Sequence, residues 1–400
     1  MYAAEVDIAQ VKVDMLELGK FGQCTDGGIT RLAFSEEYRQ AALCLQKKMR
    51  QAGLSTRIDP IGNVIGELPG EIHRPYVWIG SHLDTVTKGG LFDGLLGIAA
   101  GLEVVRMVQR SGHTLHRGIR LIAFQAEEGS KLGGTFGSRA MMGMINDTSP
   151  GMEEILSHYN LTLEDIKNSR LLPRPGEQYL EMHIEQGGTL DQLKIPLGVV
   201  TGIVGIHRYE LVFHGESNHA GTTDMNVRKD ALVMLAQFIL EFNKWVCGER
   251  IHTVATIGQV EIKPNMPNVI PGLVRASLEV RSMDNRKIPS LIQRAKSFCK
   301  EQFNSEVEFI CISEKESTPC STELQEQLAK ACSSLQYPYI HLPSGAGHDA
   351  NAVAHRIPVG MLFVPSKGGK SHCPQEDTDW NDIKKGIQVL YYTLLALEER

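Results

Sequence analysis

Residues 76–105 read YVWIGSHLDTVTKGGLFDGLLGIAAGLEVV. The opening YVWIG is a continuous apolar run of strand length. From Leu95 the period changes: Leu95, Ile98, Ala99, Leu102, Val105 and Val108 recur at the spacing of a buried helix face. Between the two, positions 80–94 hold one His, two Asp and four Gly. Strand, polar loop and buried helix form the first half of a β-α-β unit, and such units build a parallel sheet covered by helices. In that architecture the loops at the C-terminal ends of strands collect the reactive side chains. His82, Asp84 and Asp93 stand there. Alone, a His-x-Asp is usually a hydrogen-bonded surface pair, and Asp93 before Gly94 is as readily a helix cap. The loop is decided by its distant partners.

Outward from it, the pattern repeats. Residues 35–52 have helical spacing, 63–68 form a short strand, and 119–126 form a continuous apolar strand. Near Gly205 the rhythm changes. A strand at 207–215, a helix at 230–246, strands at 252–262 and 273–282, a helix at 290–303 and a strand at 306–312 give the order β-α-β-β-α-β, the ferredoxin-like arrangement. Afterwards 358–364 reads as a strand and 380–399 as a closing helix. The expected organisation is an α/β domain over 1–204 and 318–400, a mostly parallel sheet with helices on both faces. A smaller α+β domain over 205–317 is inserted in it.

Composition agrees with two domains in 400 residues. With 42% hydrophobic and 22% charged residues and a net charge of -6, nothing asks for nucleic acid or an anionic membrane surface. No apolar stretch reaches the roughly 20 residues that span a bilayer. The first residues, MYAAEVDIAQVKVDM, lack the pattern of a signal peptide. Eight scattered cysteines without a C-x-x-C pair predict reduced thiols and a cytoplasmic protein.

Four polar clusters follow apolar strands: SHLD with Asp93, AEEGS (Glu127, Glu128), EMHIEQG (His183, Glu185, Gln186) and SHCPQE (His372). Each alone is an ordinary loop; four on one α/β domain predict a metal centre. Two hydrolytic ions about 3.5–4 Å apart need one bridging carboxylate flanked by His and Glu ligands. Asp93 can bridge, with His82 and His183 on one ion and Glu128 and His372 on the other. Asp84 is placed to hold the second nitrogen of His82. Glu127 is the spare carboxylate, suited to take a water's proton and pass it to a leaving nitrogen. A metal pair lowers the pKa of water from 15.7 toward about 7. The Gly89-Gly90 pair lets the loop fold back so that His82 and Asp93 meet. Two divalent ions are therefore expected, and Mn, Zn, Co or Ni suit such ligands about equally.

The ordered set GSHLDTV, FDG, AEEGS, MHIEQG, HAGTT, MPNVIPG, EVRSMD, PSGAGHDA and PSKGGKSHCPQE spans nearly the whole chain. It resembles the amidase/hydantoinase-carbamoylase family, within the di-metal aminoacylase and carboxypeptidase superfamily. The resemblance implies a di-metal exopeptidase-like catalytic domain and a ferredoxin-like lid and dimerisation domain, hence a homodimer. It implies the five ligands above with Glu127 as base. It further implies Arg281 and Asn268 on a substrate carboxylate, His219 on the ureido oxyanion, acting in cis or in trans, and Gln186 and His348 completing the pocket. The implied reaction is hydrolysis of a ureido C–N bond in N-carbamoyl-L-amino acids, giving L-amino acid, ammonia and carbon dioxide. Allantoate, ureidoglycolate and β-ureidopropionate are the alternatives, and a dipeptidase or aminoacylase is a more distant one. Lys131, Leu132, Gly188, Asp224 and Cys373 depart from residues common in the family, and none removes an implied ligand.

Overall fold

The computed structural model describes residues 5–71, 74–145, 151–249, 253–303 and 307–398. The chain divides into two compact units, Met1–Thr201 with Cys320–Arg400, and Gly202–Pro319. These divisions fall two to three residues from those expected, the first of them inside the strand Leu197–Ile203.

In the first unit, four strands lie side by side in the order Ile119–Phe124, Val77–His82, Gln178–Ile184 and Val359–Val364, all parallel. Each is buried along its whole length, so both faces are covered. The sheet as a whole is mixed rather than mostly parallel. Val64–Leu68 and then Ser55–Ile58 extend one side antiparallel, and Leu197–Ile203 pairs antiparallel with Val359–Val364 on the other. The short linker between Ser55–Ile58 and Val64–Leu68 accounts for part of this: a hairpin can join only antiparallel neighbours.

The helix Leu95–Ser111 packs against Val77–His82 and against the helices Ile8–Gly19 and Trp380–Glu398. It buries 13 of its 17 residues, so the apolar stripe seen in sequence understates it: the helix is enclosed nearly all round. Each fully buried Leu, Ile or Val there contributes about 1.5–3 kcal/mol. Gly94 begins this helix at φ 68° and Gly112 ends it at φ 65°. All eight cysteines are free thiols.

The second unit has one antiparallel sheet in the order Val307–Lys315, Gly205–His214, Leu273–Ser282, Thr253–Thr256. This is the ferredoxin-like strand order, with the helices Ala231–Cys247 and Lys287–Phe303 on the face that Leu211, Phe213, Leu278, Leu235, Phe238 and Leu291 fill. The strand expected over 252–262 is two strands, Thr253–Thr256 and Val260–Lys263, each pairing with one half of Leu273–Ser282. At the break, Ser277 Oγ accepts from Gln259 N and Ser277 N donates to Gln259 O, both at 3.0 Å.

The insertion leaves and rejoins at one place. Cys320 N donates to Thr201 O at 3.1 Å, and Thr318 and Pro319 pair antiparallel with Ile203 and Gly202.

Candidate metal centre

All four central strands deliver polar residues at their C-terminal ends. His82 closes its strand, Glu127 and Glu128 follow Phe124 through a turn with Ala126 at φ 60°, His183 lies one residue before its strand ends, and His372 follows Val364 by eight residues. These ends are neighbours because the strands are.

Asp93 is at the centre and 4% exposed. Its Oδ1 lies 3.5 Å from His82 Nε2 and 3.2 Å from His183 Nε2; its Oδ2 lies 3.1 Å from His372 Nε2. Glu128 Oε1 is 3.4 Å from the same His372 nitrogen. Asp93 caps nothing with its side chain, so the capping alternative does not hold for this helix. Two groups of three, His82–Asp93–His183 and Asp93–Glu128–His372, each present ligand atoms within 4.8 Å of one another. Asp93 Oδ1 and Glu128 Oε1 are buried without any hydrogen-bond partner. Buried carboxylate oxygens are costly to leave unpaired; here His82 and His183 each bring Nε2 near Asp93 Oδ1, and His372 brings Nε2 near Glu128 Oε1. Such a donor set suits divalent cations, and these residues fit them.

The electrostatics agree. Burial pushes the Asp93 carboxyl up, but His183, then His372 and His82, outweigh it and hold the carboxyl well below its ordinary range. His372 is held up to about 10 by Asp93 and Glu128. Burial, only partly relieved by His82, drives Glu127 well above the usual carboxylate range, and Asp349, Glu128 and Asp84 add to the rise. Perturbed carboxyls of this kind cluster at functional sites.

Asp84 does not orient His82 as expected. Its carboxylate is 3.9 Å from His82 Nδ1, which instead pairs with the Asp84 backbone carbonyl at 3.0 Å. The carboxylate oxygens accept from Glu127 N and Glu128 N, each at 3.1 Å. The side chain therefore fixes the neighbouring turn, while its own backbone fixes the imidazole. His183 likewise sets Nδ1 on the Ile184 carbonyl at 2.9 Å.

Gln186 (φ 59°) directs Nε2 to Asp93 Oδ2 at 3.2 Å. His348 is 1% exposed, bonds Ser344 Oγ at 2.7 Å and packs edge-on against His183 with ring centres 4.7 Å apart. Burial and the neighbouring His183 hold it well below the ordinary imidazole range, so it is neutral. In the second unit, His219 is exposed and accepts from Gly221 N through Nδ1 at 3.0 Å. Its loop pairs with that of Asn268, whose carbonyl accepts from Ala220 N at 3.0 Å. Arg281 pairs with Glu279 at 2.7 Å, and Glu279 also holds Arg208.

Glu376 and Ser371 were missed in sequence. Glu376 is 6% exposed, and its Oε1 accepts from Phe92 N at 2.8 Å and from Asp93 N at 3.0 Å. Ser371 Oγ is 3.0 Å from Glu376 Oε2 and 3.3 Å from Asp93 Oδ2. A carboxylate four residues after His372 was the available signal.

Residues 78–396 match the model of the peptidase family M20/M25/M40, and the chain belongs to that family. Over its length it is 34% identical to an N-carbamoyl-L-amino-acid amidohydrolase of Paenarthrobacter aurescens, covering 97% of this chain and 98% of the relative. It is 33% identical to an allantoate amidohydrolase of Escherichia coli K12, covering 95% of each. Among solved structures, an amidase of the hydantoinase/carbamoylase family from Burkholderia multivorans superposes with a TM-score of 0.91 at 28% identity, covering 99% of both chains. The branch read from the motifs is the one these relatives occupy.

Proposed function

We propose that this chain hydrolyses the ureido C–N bond of N-carbamoyl-L-amino acids, giving L-amino acid, ammonia and carbon dioxide. The observation that carries the chemistry is Asp93 shared by two ligand groups, with Glu127 held beside Glu128 by one carboxylate, Asp84. The full-length relative named for that substrate supports the choice of substrate. Two divalent cations per subunit, of Mn, Zn, Co or Ni, would sit on His82, His183, Asp93, Glu128 and His372 and supply Lewis acidity and an acidified water. Glu127 takes the proton of the attacking water and hands it to the departing nitrogen. His219 stabilises the developing oxyanion. Arg281 and Asn268 hold the substrate carboxylate, since a planar guanidinium binds one bidentately. Gln186 and His348 complete the pocket.

Residues 205–317 are proposed to serve as lid and dimerisation domain of a homodimer. Exposed Val233 and Leu240, at 51% and 64% on the helix Ala231–Cys247, supply apolar contacts for a second copy. No helix among the described residues is long and apolar enough to cross a membrane, in keeping with a cytoplasmic place of action. Allantoate is the second reading, favoured by the relative that carries its name.

The test is ammonia release from N-carbamoyl-L-methionine, N-carbamoyl-β-alanine, ureidoglycolate and allantoate by chelated and Mn-reloaded enzyme. The N-carbamoyl-L-amino acid should be preferred and chelation should abolish turnover; a preference for allantoate overturns the substrate. Glu127→Gln at matched metal content should lower kcat by about 10²–10⁴, and an undiminished rate overturns the mechanism.

A further inference from the structure

The loop that carries Asp93 and the loop that carries His372 come from opposite ends of the chain, yet must meet at one pair of cations. Ser371 and His372 reach the Asp93 carboxylate, and a third side chain ties the loops through the backbone. Glu376, four residues after His372, reaches the other loop and accepts both Phe92 N and Asp93 N on a single oxygen. Its second oxygen takes Ser371 Oγ, from the residue before His372. A built-in vacancy admits it: a Cβ on Gly90 would lie 2.1 Å from Glu376 Oε1 and 2.4 Å from its Cβ. The Gly89-Gly90 pair, expected to let the loop fold back, thus has a more definite use at Gly90: it leaves the space that Glu376 occupies.

We infer that Glu376 is a positioning residue of the metal centre: through the Phe92 and Asp93 amides it fixes the bridging carboxylate, and through Ser371 it fixes the His372 segment against it. Glu376 belongs to none of the candidate ligand groups among the described residues. It acts through Asp93 and His372, and so governs how well the two ligand groups share a carboxylate. Outer partners of metal ligands commonly carry 10–100-fold in affinity. The inference rests on the di-metal reading of the site.

Calorimetric titration of chelated enzyme with Mn²⁺ tests it without recourse to turnover. Glu376→Ala should weaken Mn²⁺ binding 10–100-fold while circular dichroism stays that of the wild type. Glu376→Gln keeps an acceptor oxygen for Phe92 and Asp93 and should restore affinity to within about threefold. Gly90→Ala, which alters neither ligand nor Glu376 but fills its space, should weaken binding as Glu376→Ala does, and stands in for that variant if it does not fold. Wild-type affinity in a folded Glu376→Ala or Gly90→Ala protein overturns the inference, as does a Glu376→Gln protein no better than the alanine variant. Failure of the wild type to take up Mn²⁺ at all overturns the di-metal reading itself.

Discussion

Asp84→Asn separates two ways of building the same site. The Asp84 carboxylate accepts two backbone N–H groups at 3.1 Å, from Glu127 and Glu128. An asparagine offers one acceptor oxygen and an NH₂ group, so one of those buried amides faces a donor. Losing a hydrogen bond to a charged acceptor costs about 1.5–3 kcal/mol, or about 10–150-fold when it falls on an equilibrium at the site. It should fall on the turn that presents Glu128 and Glu127. His82 is spared, because its Nδ1 pairs with the Asp84 carbonyl, which the substitution keeps. Titrating chelated enzyme with Mn²⁺ should therefore show the position built by Glu128 and His372 weakened by about 10–100-fold, and that built by His82 and His183 changed by less than about threefold. His82→Ala and His372→Ala proteins identify which binding step is which. Wild-type behaviour at both steps, or a loss confined to the His82 step, would refute the reasoning and return Asp84 to the role of an imidazole orienter.

Two other perturbations follow from the same neighbourhood. In Gly94→Ala the new Cβ would lie 2.5 Å from the His82 ring at a backbone φ of 68°, so the imidazole must move; Mn²⁺ affinity should fall at least about tenfold, and unchanged affinity would show that the ring can yield freely. Asp59 accepts from Ile61 N, Gly62 N, Asn63 N and Asn63 Nδ2, yet burial outweighs these bonds and pushes its carboxyl from 3.8 to about 6. A raised carboxyl favours the folded state below its unfolded pKa, and that contribution is lost as pH rises through 6. Between pH 4 and 7 the wild type should lose about 2 kcal/mol relative to Asp59→Asn in urea titrations, and parallel pH profiles would rule this out.

Much of the site was legible because its chemistry is written in strand ends. His82, Glu128, His183 and His372 each follow an apolar run that became a central parallel strand, and strand adjacency did the rest. The insertion was legible for a similar reason: alternation over 273–282 returned as a strand with one face buried at every second residue. What sequence misplaced depended on backbone detail. The mixed sheet arises from edge strands whose direction no period reveals. The split at Gln259 depends on one serine side chain. The bond from His82 to a carbonyl rather than a carboxylate cannot be read from His-x-Asp, since both acceptors belong to the same residue. The role of Glu376 had only its place four residues after His372 to mark it, because two of its partners are backbone amides some 280 positions away, and amides leave no mark on a sequence.

The junction of the insertion has a modular consequence. Thr201 and Cys320 are hydrogen-bonded neighbours, so the two crossing points are a strand's width apart. A chain cut there and rejoined by a short turn keeps the ladder that surrounds it, and closing so small a loop costs little entropy. The metal-bearing unit can thus accept, lose or exchange the intervening hundred-odd residues without rebuilding its sheet. A shortened chain with a bare hairpin at this position is a direct way to ask whether the first unit takes up Mn²⁺ without the segment that interrupts it.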